Sequence, residues 1–217
     1  MERVFRDMQE TLVQKQTRAM KILRKLKKAY PKAGIVLNYK TSIQLLVAVI
    51  LSAQATDEQV NKLTQELFKK YKTVDDFANA NLHTFTREVA RVNFYKNKAR
   101  FIISSAKKIR DDYNGKLPRS IDEMVKLSGV ARKTANIVLH EVYAVVQGIA
   151  VDTHVIRVSR NLGLTKEKNP DKIEQGLMAL FPKKEWGSVA FLLQAYGRTV
   201  MKARGKASKD DILAGLY

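Results

Sequence analysis

The chain has 217 residues, with 40 Lys and Arg against 21 Asp and Glu, a formal net charge of +19, and no cysteine. That length means one large domain or two small interlocked ones, and a hydrophobic fraction of 45% is enough to build a core, which excludes a disordered chain. The missing cysteines exclude disulfides, thiolate zinc sites, iron–sulfur clusters and a cysteine nucleophile. No apolar run approaches the ~18 residues that a membrane span needs. Residues 1–16 alternate charged with apolar side chains and contain no signal-peptide core, so the expected place of action is cytoplasm or nucleoid, or the nucleus in a eukaryote. A pI near 10.0 on an otherwise ordinary folding composition points to a polyanion partner. Nucleic acid fits best, because each phosphate contact releases counterions.

Taken in order, almost every segment reads as helix. The first 30 residues form a basic amphipathic helix or two, with Lys21, Arg24, Lys25, Lys27 and Lys28 close together. The apolar run 45–51 has the composition of a buried strand. It follows Thr41-Ser42 and has no second strand-like run to pair with, so it is assigned as a buried helix. Thr56 with Gln59 has the form of a capping box, and Val60, Leu63, Leu67, Phe68 and Tyr71 follow at helical spacing. Residues 94–113 carry the stripe Ala99, Ile102, Ile103, Ala106 and Ile109, which Asn114-Gly115 stops. Ser120 with Glu123 starts a short helix over 121–126. Gly129 makes a tight turn and a second helix follows, so residues 121–142 are predicted to form a helix–hairpin–helix. Asn169-Pro170 reads as a cap followed by proline at the first helical position. Trp186, Val189, Leu192, Leu193 and Tyr196 form a core stripe. The fold class is all-α, with about ten short helices.

Two segments carry chemistry. Leu127-Ser128-Gly129-Val130-Ala131-Arg132-Lys133 feeds a glycine turn into a helix start. Such a turn leaves backbone N–H groups pointing outward, and with the helix dipole they bind a phosphate. Arg132 adds charge beside them. An ordinary αα-corner would have the same local sequence. Nineteen residues after Lys133 comes Val151-Asp152-Thr153-His154, with Asp152 at a helix start. Its carboxylate suits a helix cap or a catalytic group facing a cleft. His83, His140 and His154 are too dispersed in sequence to define a metal site.

In combination, the hairpin, Lys133 and the V-D-T-H segment resemble the endonuclease III family of helix–hairpin–helix DNA glycosylases. Residues 45–57 (L-L-V-A-V-I-L-S-A-Q-A-T-D), Phe94-Tyr95-Lys96-Asn97-Lys98-Ala99 and Tyr196-Gly197-Arg198 extend the similarity over about residues 18–217. The resemblance implies a two-domain helical glycosylase fold. Residues 1–34 would pack with a C-terminal helical domain, 148–217, and residues 35–147 would form a six-helix barrel domain that includes the hairpin. It implies that Lys133 is the catalytic lysine and Asp152 the catalytic aspartate. Gln54 would fill the gap left by a flipped-out base, and Phe94 would stand where the family places an apolar wedge. Leu127, Gly129, Val130, Ala131 and Arg132 would form the phosphate-binding hairpin and its flank. The implied partner is double-stranded DNA with damaged bases or abasic sites, bound by a monomer. The implied activity is base-excision repair of oxidised pyrimidines, with strand cleavage 3′ to the abasic site by β-elimination. A mismatch or uracil glycosylase, and a non-catalytic DNA-binding protein, are the alternatives.

The chain departs from the family pattern in three places. Ser128 and Ala131 replace the usual Pro and second Gly of the hairpin, and the added methyl at 131 is expected to weaken phosphate binding. Asn93 and Phe94 replace Gly-Leu. The four cysteines of the family's iron–sulfur cluster fall on Met201, Ser208, Asp211 and Tyr217, so no cofactor is expected. Packing must then replace the metal, with Met201, Tyr217, Ile212, Leu213 and Leu216 as the candidate apolar contributors.

Overall fold

The computed structural model describes residues 10–201 and 211–217. Among them the chain forms eleven α-helices and one 3-10 turn. It divides into two compact units, one of Met1–Gly34 with Gly148–Tyr217 and the other of Ile35–Gln147. None of the described helices is long and apolar enough to cross a membrane.

The unit Ile35–Gln147 is built around α2 (Ser42–Ser52), which buries every residue from Ile43 to Leu51. A helix apolar all round belongs at the centre of a core. It packs against α3 (Asp57–Lys70), α6 (Tyr95–Asp112) and α8 (Arg132–Tyr143). Its one buried amide is satisfied at both ends: Gln44 Oε1 accepts from Lys40 N at 3.0 Å, and Nε2 donates to Tyr71 O at 3.0 Å. The expected capping box at Thr56 is present and starts α3. Two short helices, α4 (Val74–Ala78) and α5 (Leu82–Glu88), lie in a stretch where the apolar spacing singled out nothing. Runs this short do not complete enough turns to show a helical period. They carry Phe77 and Phe85, which pack with Tyr71 in stacked and edge-on pairs. Tyr71 donates to Glu88 at 2.9 Å, and burial with that carboxylate pushes its phenol up to about 12.

Two expected boundaries move. The long helix begins at Tyr95, not Phe94, because Phe94 is a left-handed cap residue. The short helix α7 (Ile121–Met124) stops two residues early, because the chain turns to bury Leu127 and Val130.

In the other unit, α1 (Leu12–Ala29) buries Ala19, Ile22, Leu23 and Leu26 and leaves Lys21, Lys25, Lys27 and Lys28 exposed. Lys27 pairs with Glu185 at 2.5 Å, and Lys25 donates to Ile212 O at 2.9 Å. This helix packs against α10 (Pro170–Leu180) and α11 (Trp186–Thr199), and α9 (Thr153–Asn161) lies against α11. The approach of α9 to α11 requires glycine at 197. A Cβ there would stand 2.9 Å from a methyl of Val158. Arg157 closes the end of α11, donating to Gly197 O at 3.0 Å and to Met201 O at 3.1 and 3.0 Å.

The C-terminal residues are held mainly by polar groups. Tyr196, fully buried, donates its hydroxyl to Asp211 at 2.5 Å. Tyr217 donates to the other carboxylate oxygen, and Leu213 N–H donates to Asp211 Oδ1 at 2.9 Å. Burial alone would raise the Asp211 carboxyl. The two hydroxyls, the N–H and nearby Lys25 outweigh it and hold the group below its ordinary value. Of the side chains expected to replace a metal by apolar packing, Met201 and Leu213 are buried. Tyr217 is 53% exposed and acts through its hydroxyl instead. Ser208 lies outside the described residues.

Candidate nucleic-acid interface

The hairpin is a backbone device on an apolar anchor. Leu127 and Val130 are buried, and between them Gly129 adopts φ +76°. Glycine is required there twice: L side chains rarely take that conformation, and a Cβ would stand 2.9 Å from Phe101 of α6. Ser128, in place of proline, bonds to the same helix. Its hydroxyl lies 3.1 Å from that of Ser104, and its carbonyl accepts from Ser105 at 2.8 Å. Ala131 caps α8 in an extended conformation (φ −88°, ψ 168°), which alanine adopts without strain, and makes no side-chain cap hydrogen bond. Its exposed methyl leaves the hairpin's backbone path intact. Arg132 and Lys133 follow, both exposed, as the first two residues of α8.

Helix α6 also carries the second feature. Phe94, at its N-terminus, adopts φ +58° and is 60% exposed. The N–H groups of Asn97 and Lys98 both donate to Phe94 O at 3.0 Å. Gln54, between α2 and α3, is likewise exposed with φ +54°. Bulky residues rarely sit in this region, which costs on the order of 1–3 kcal/mol and persists only where surrounding contacts hold it. Those contacts are visible. Asn93 Nδ2 donates to Gln54 O at 2.8 Å, and Lys98 Nζ donates to Leu51 O at 2.8 Å and Ala53 O at 2.6 Å. Lys98 is 4% exposed, and burial pushes its ammonium pKa down.

Asp152 lies in the unit Met1–Gly34 with Gly148–Tyr217, as the cap of α9. Its Oδ1 accepts from Val155 N–H at 2.8 Å. Among the described residues Oδ2 has no hydrogen-bond partner, so capping and chemistry need not compete for the same oxygen. His154, two residues on, contacts Arg157 at 3.1 Å.

No three His, Asp or Glu side chains among the described residues are grouped to hold a metal ion. The donor set also does not fit an iron–sulfur cluster. Met201 offers a buried thioether that accepts from Asn161 at 3.3 Å, and Asp211 is engaged by two tyrosines. Asn93, Lys98, Phe101, Ser104 and Ser105 support the site, and their local sequence does not mark them for that role. The one available signal was that Asn93 and Ser128 both depart from the family pattern and both prove to make hydrogen bonds.

Residues 47–183 match the family model for the HhH-GPD superfamily base excision DNA repair protein. The chain is 42% identical over 205 residues to endonuclease III of Synechocystis sp., covering 94% of each. It is 41% identical over 195 residues to endonuclease III of Bacillus subtilis, covering 89% of each. Among solved structures, a trapped endonuclease III–DNA covalent intermediate, an estranged-adenine complex, superposes with a TM-score of 0.83 at 39% identity, covering 88% of this chain and 89% of that one. A thermostable thymine-DNA glycosylase, 17% identical, shares the fold with a TM-score of 0.77 over 89% of this chain and 91% of its own.

Proposed function

The chain belongs to the endonuclease III family of HhH-GPD base-excision DNA repair proteins, and from that membership we propose that it is a DNA glycosylase and abasic-site lyase acting on oxidised pyrimidines in double-stranded DNA. The observation that carries this reading is Lys133, an exposed amine on the first turn of α8, directly after the glycine hairpin. A pure DNA binder needs charge at that place, which Arg132 already supplies. A primary amine there supports covalent chemistry.

The lesion lies inside the duplex, so its nucleotide must be extruded, at a cost of a few kcal/mol that is smaller for a damaged or mispaired base. Gln54 and Phe94 offset part of that cost by occupying the vacated space. The hairpin N–H groups hold a backbone phosphate. As the bond between base and C1′ breaks, its electron pair leaves with the base and positive charge builds on the sugar. The Asp152 carboxylate stabilises that charge. The neutral amine of Lys133 bonds to C1′ and gives up a proton, the C1′–O4′ bond breaks with O4′ taking a proton to become a hydroxyl, and the nitrogen lone pair forms the C1′=N bond of a protonated Schiff base. The iminium acidifies the C2′ proton. Its removal expels the 3′ phosphate from C3′, and water then hydrolyses the imine to free Lys133. The protein acts as a monomer on chromosomal DNA in the cytoplasm or nucleoid.

Borohydride trapping tests this on two duplexes, one with an abasic site and one with thymine glycol. Wild type is expected to form a covalent adduct on both. Lys133→Gln is expected to form none and to lose lyase turnover by on the order of 10³-fold or more while still binding duplex. Trapping by Lys133→Gln, or strand cleavage without any trappable adduct, would overturn the assignment of the nucleophile.

A further inference from the structure

Asn93 and Lys98 both reach from the start of α6 to the backbone that carries Gln54. Three hydrogen bonds of 2.6–2.8 Å join them to three carbonyls at and just beyond the end of α2: Lys98 takes Leu51 and Ala53, and Asn93 takes Gln54 itself. The lysine contacts cap the C-terminal end of α2, where unsatisfied carbonyls would otherwise collect. The asparagine contact is different. It joins a loop residue to a loop residue across 39 positions, and its two ends are next to, or are, the two left-handed exposed residues of this unit that are proposed to enter DNA.

We propose that Asn93 is a positioning residue that locks the Gln54 loop to the Phe94 loop, so that the wedge and the gap-filling side chain enter the duplex as one preformed element. The proposal rests on the glycosylase reading of Gln54 and Phe94. Its physical basis is preorganisation. Both residues hold a backbone conformation that a free loop would leave, and a loop that must be ordered on binding loses affinity to that ordering. The family resemblance places glycine at 93, which has no side chain to make this bond. The bridge is thus a property of this chain, paired with its bulkier wedge.

The test is a double-mutant cycle on a duplex carrying a tetrahydrofuran abasic analogue, which binds without reacting. Wild type, Asn93→Ala, Gln54→Ala and the double variant are compared for Kd on this duplex and on undamaged duplex. Lyase rates are measured on abasic duplex and on abasic single strand. Asn93→Ala is expected to weaken analogue binding by roughly three- to tenfold, the range of one net hydrogen bond. It should slow duplex cleavage similarly and leave undamaged-duplex binding and single-strand cleavage unchanged. In the Gln54→Ala background it should cost less, because only the Phe94 wedge then remains to be placed. Asn93→Ser, which keeps a donor, should recover part of the loss. An equal effect of Asn93→Ala in both backgrounds, an equal effect on single strand, or no effect at all would overturn the proposal. A wild type that binds the analogue but never cleaves would overturn the enzymatic reading alone, since the cycle is still read from Kd.

Discussion

The hairpin at residues 127–131 and the tail at residues 211–217 both depart from the pattern of the family, and they absorb the departure by different means. In the hairpin, the working groups are backbone N–H donors. Replacing proline by Ser128 and glycine by Ala131 leaves the path intact, since Gly129 keeps the one conformation that only glycine takes easily and α6 bonds both the hydroxyl and the carbonyl of Ser128. In the tail, the resemblance puts metal-binding cysteines at positions that here hold Asp211 and Tyr217. Here three hydrogen bonds converge on one carboxylate, from Tyr196, Tyr217 and the Leu213 N–H. A site made of backbone tolerates change at its side chains. A segment held by side chains must replace the whole set at once, and a carboxylate at its centre makes it sensitive to acid.

Substituting Gly129→Ala should have the largest effect. It combines an unfavourable φ with a 2.9 Å contact to Phe101, for about 2–3 kcal/mol of stability and a matching loss of duplex affinity. Denaturant unfolding and a duplex titration check this. A neutral result would mean that the hairpin is more deformable than its anchors imply.

Asp211→Asn should come next. Discounted for solvent access, the hydroxyl bonds to the carboxylate are worth about 2 kcal/mol together, or roughly 4–8 °C in Tm for a chain of this size. The sign with pH is definite. The folded carboxyl lies below its ordinary value, so its stabilisation is complete above the ordinary carboxylate range and disappears as pH falls through the folded value. The Tm difference between wild type and Asp211→Asn should therefore be full at neutral pH and close in acid. Tyr196, Tyr217 and Lys25 are the groups facing it. A difference independent of pH would assign the effect to packing instead.

Ser128→Ala should cost less, about 1 kcal/mol, because it removes one side-chain hydrogen bond on an accessible surface. Restoring glycine with Ala131→Gly should cost about 0.4–1 kcal/mol through the unfolded chain, since alanine already suits this backbone. If it also tightens duplex binding, the methyl obstructs phosphate as its place in the hairpin suggests. The smallest expected effect is that of an iron chelator, which should leave both Tm and the visible absorption spectrum unchanged. A chelator-induced loss of stability would show that a metal still holds the tail.

Much of the helical framework was legible from spacing and caps. The buried run of α2, the Thr56 box, the Asn169-Pro170 start and the hairpin turn all follow from contacts within a few residues, where propensity and periodicity act directly. Helices α4 and α5 were not legible, being too short for a period, and Phe94 was read as helical because its type gives no sign of a positive φ. The residue types of the proposed site were legible as well, through Lys133 after a glycine turn and Asp152 at a helix start. The sequence by itself thus determined the helices, the hairpin and the chemical groups available, since each depends on neighbours along the chain. Only the tertiary structure decided that Asn93 holds the Gln54 carbonyl, that Ser128 bonds to Ser104, and that Asp211 gathers two tyrosines. Those bonds join residues brought together by burial of apolar faces elsewhere, and no local pattern encodes which polar groups that packing leaves within 3 Å of each other.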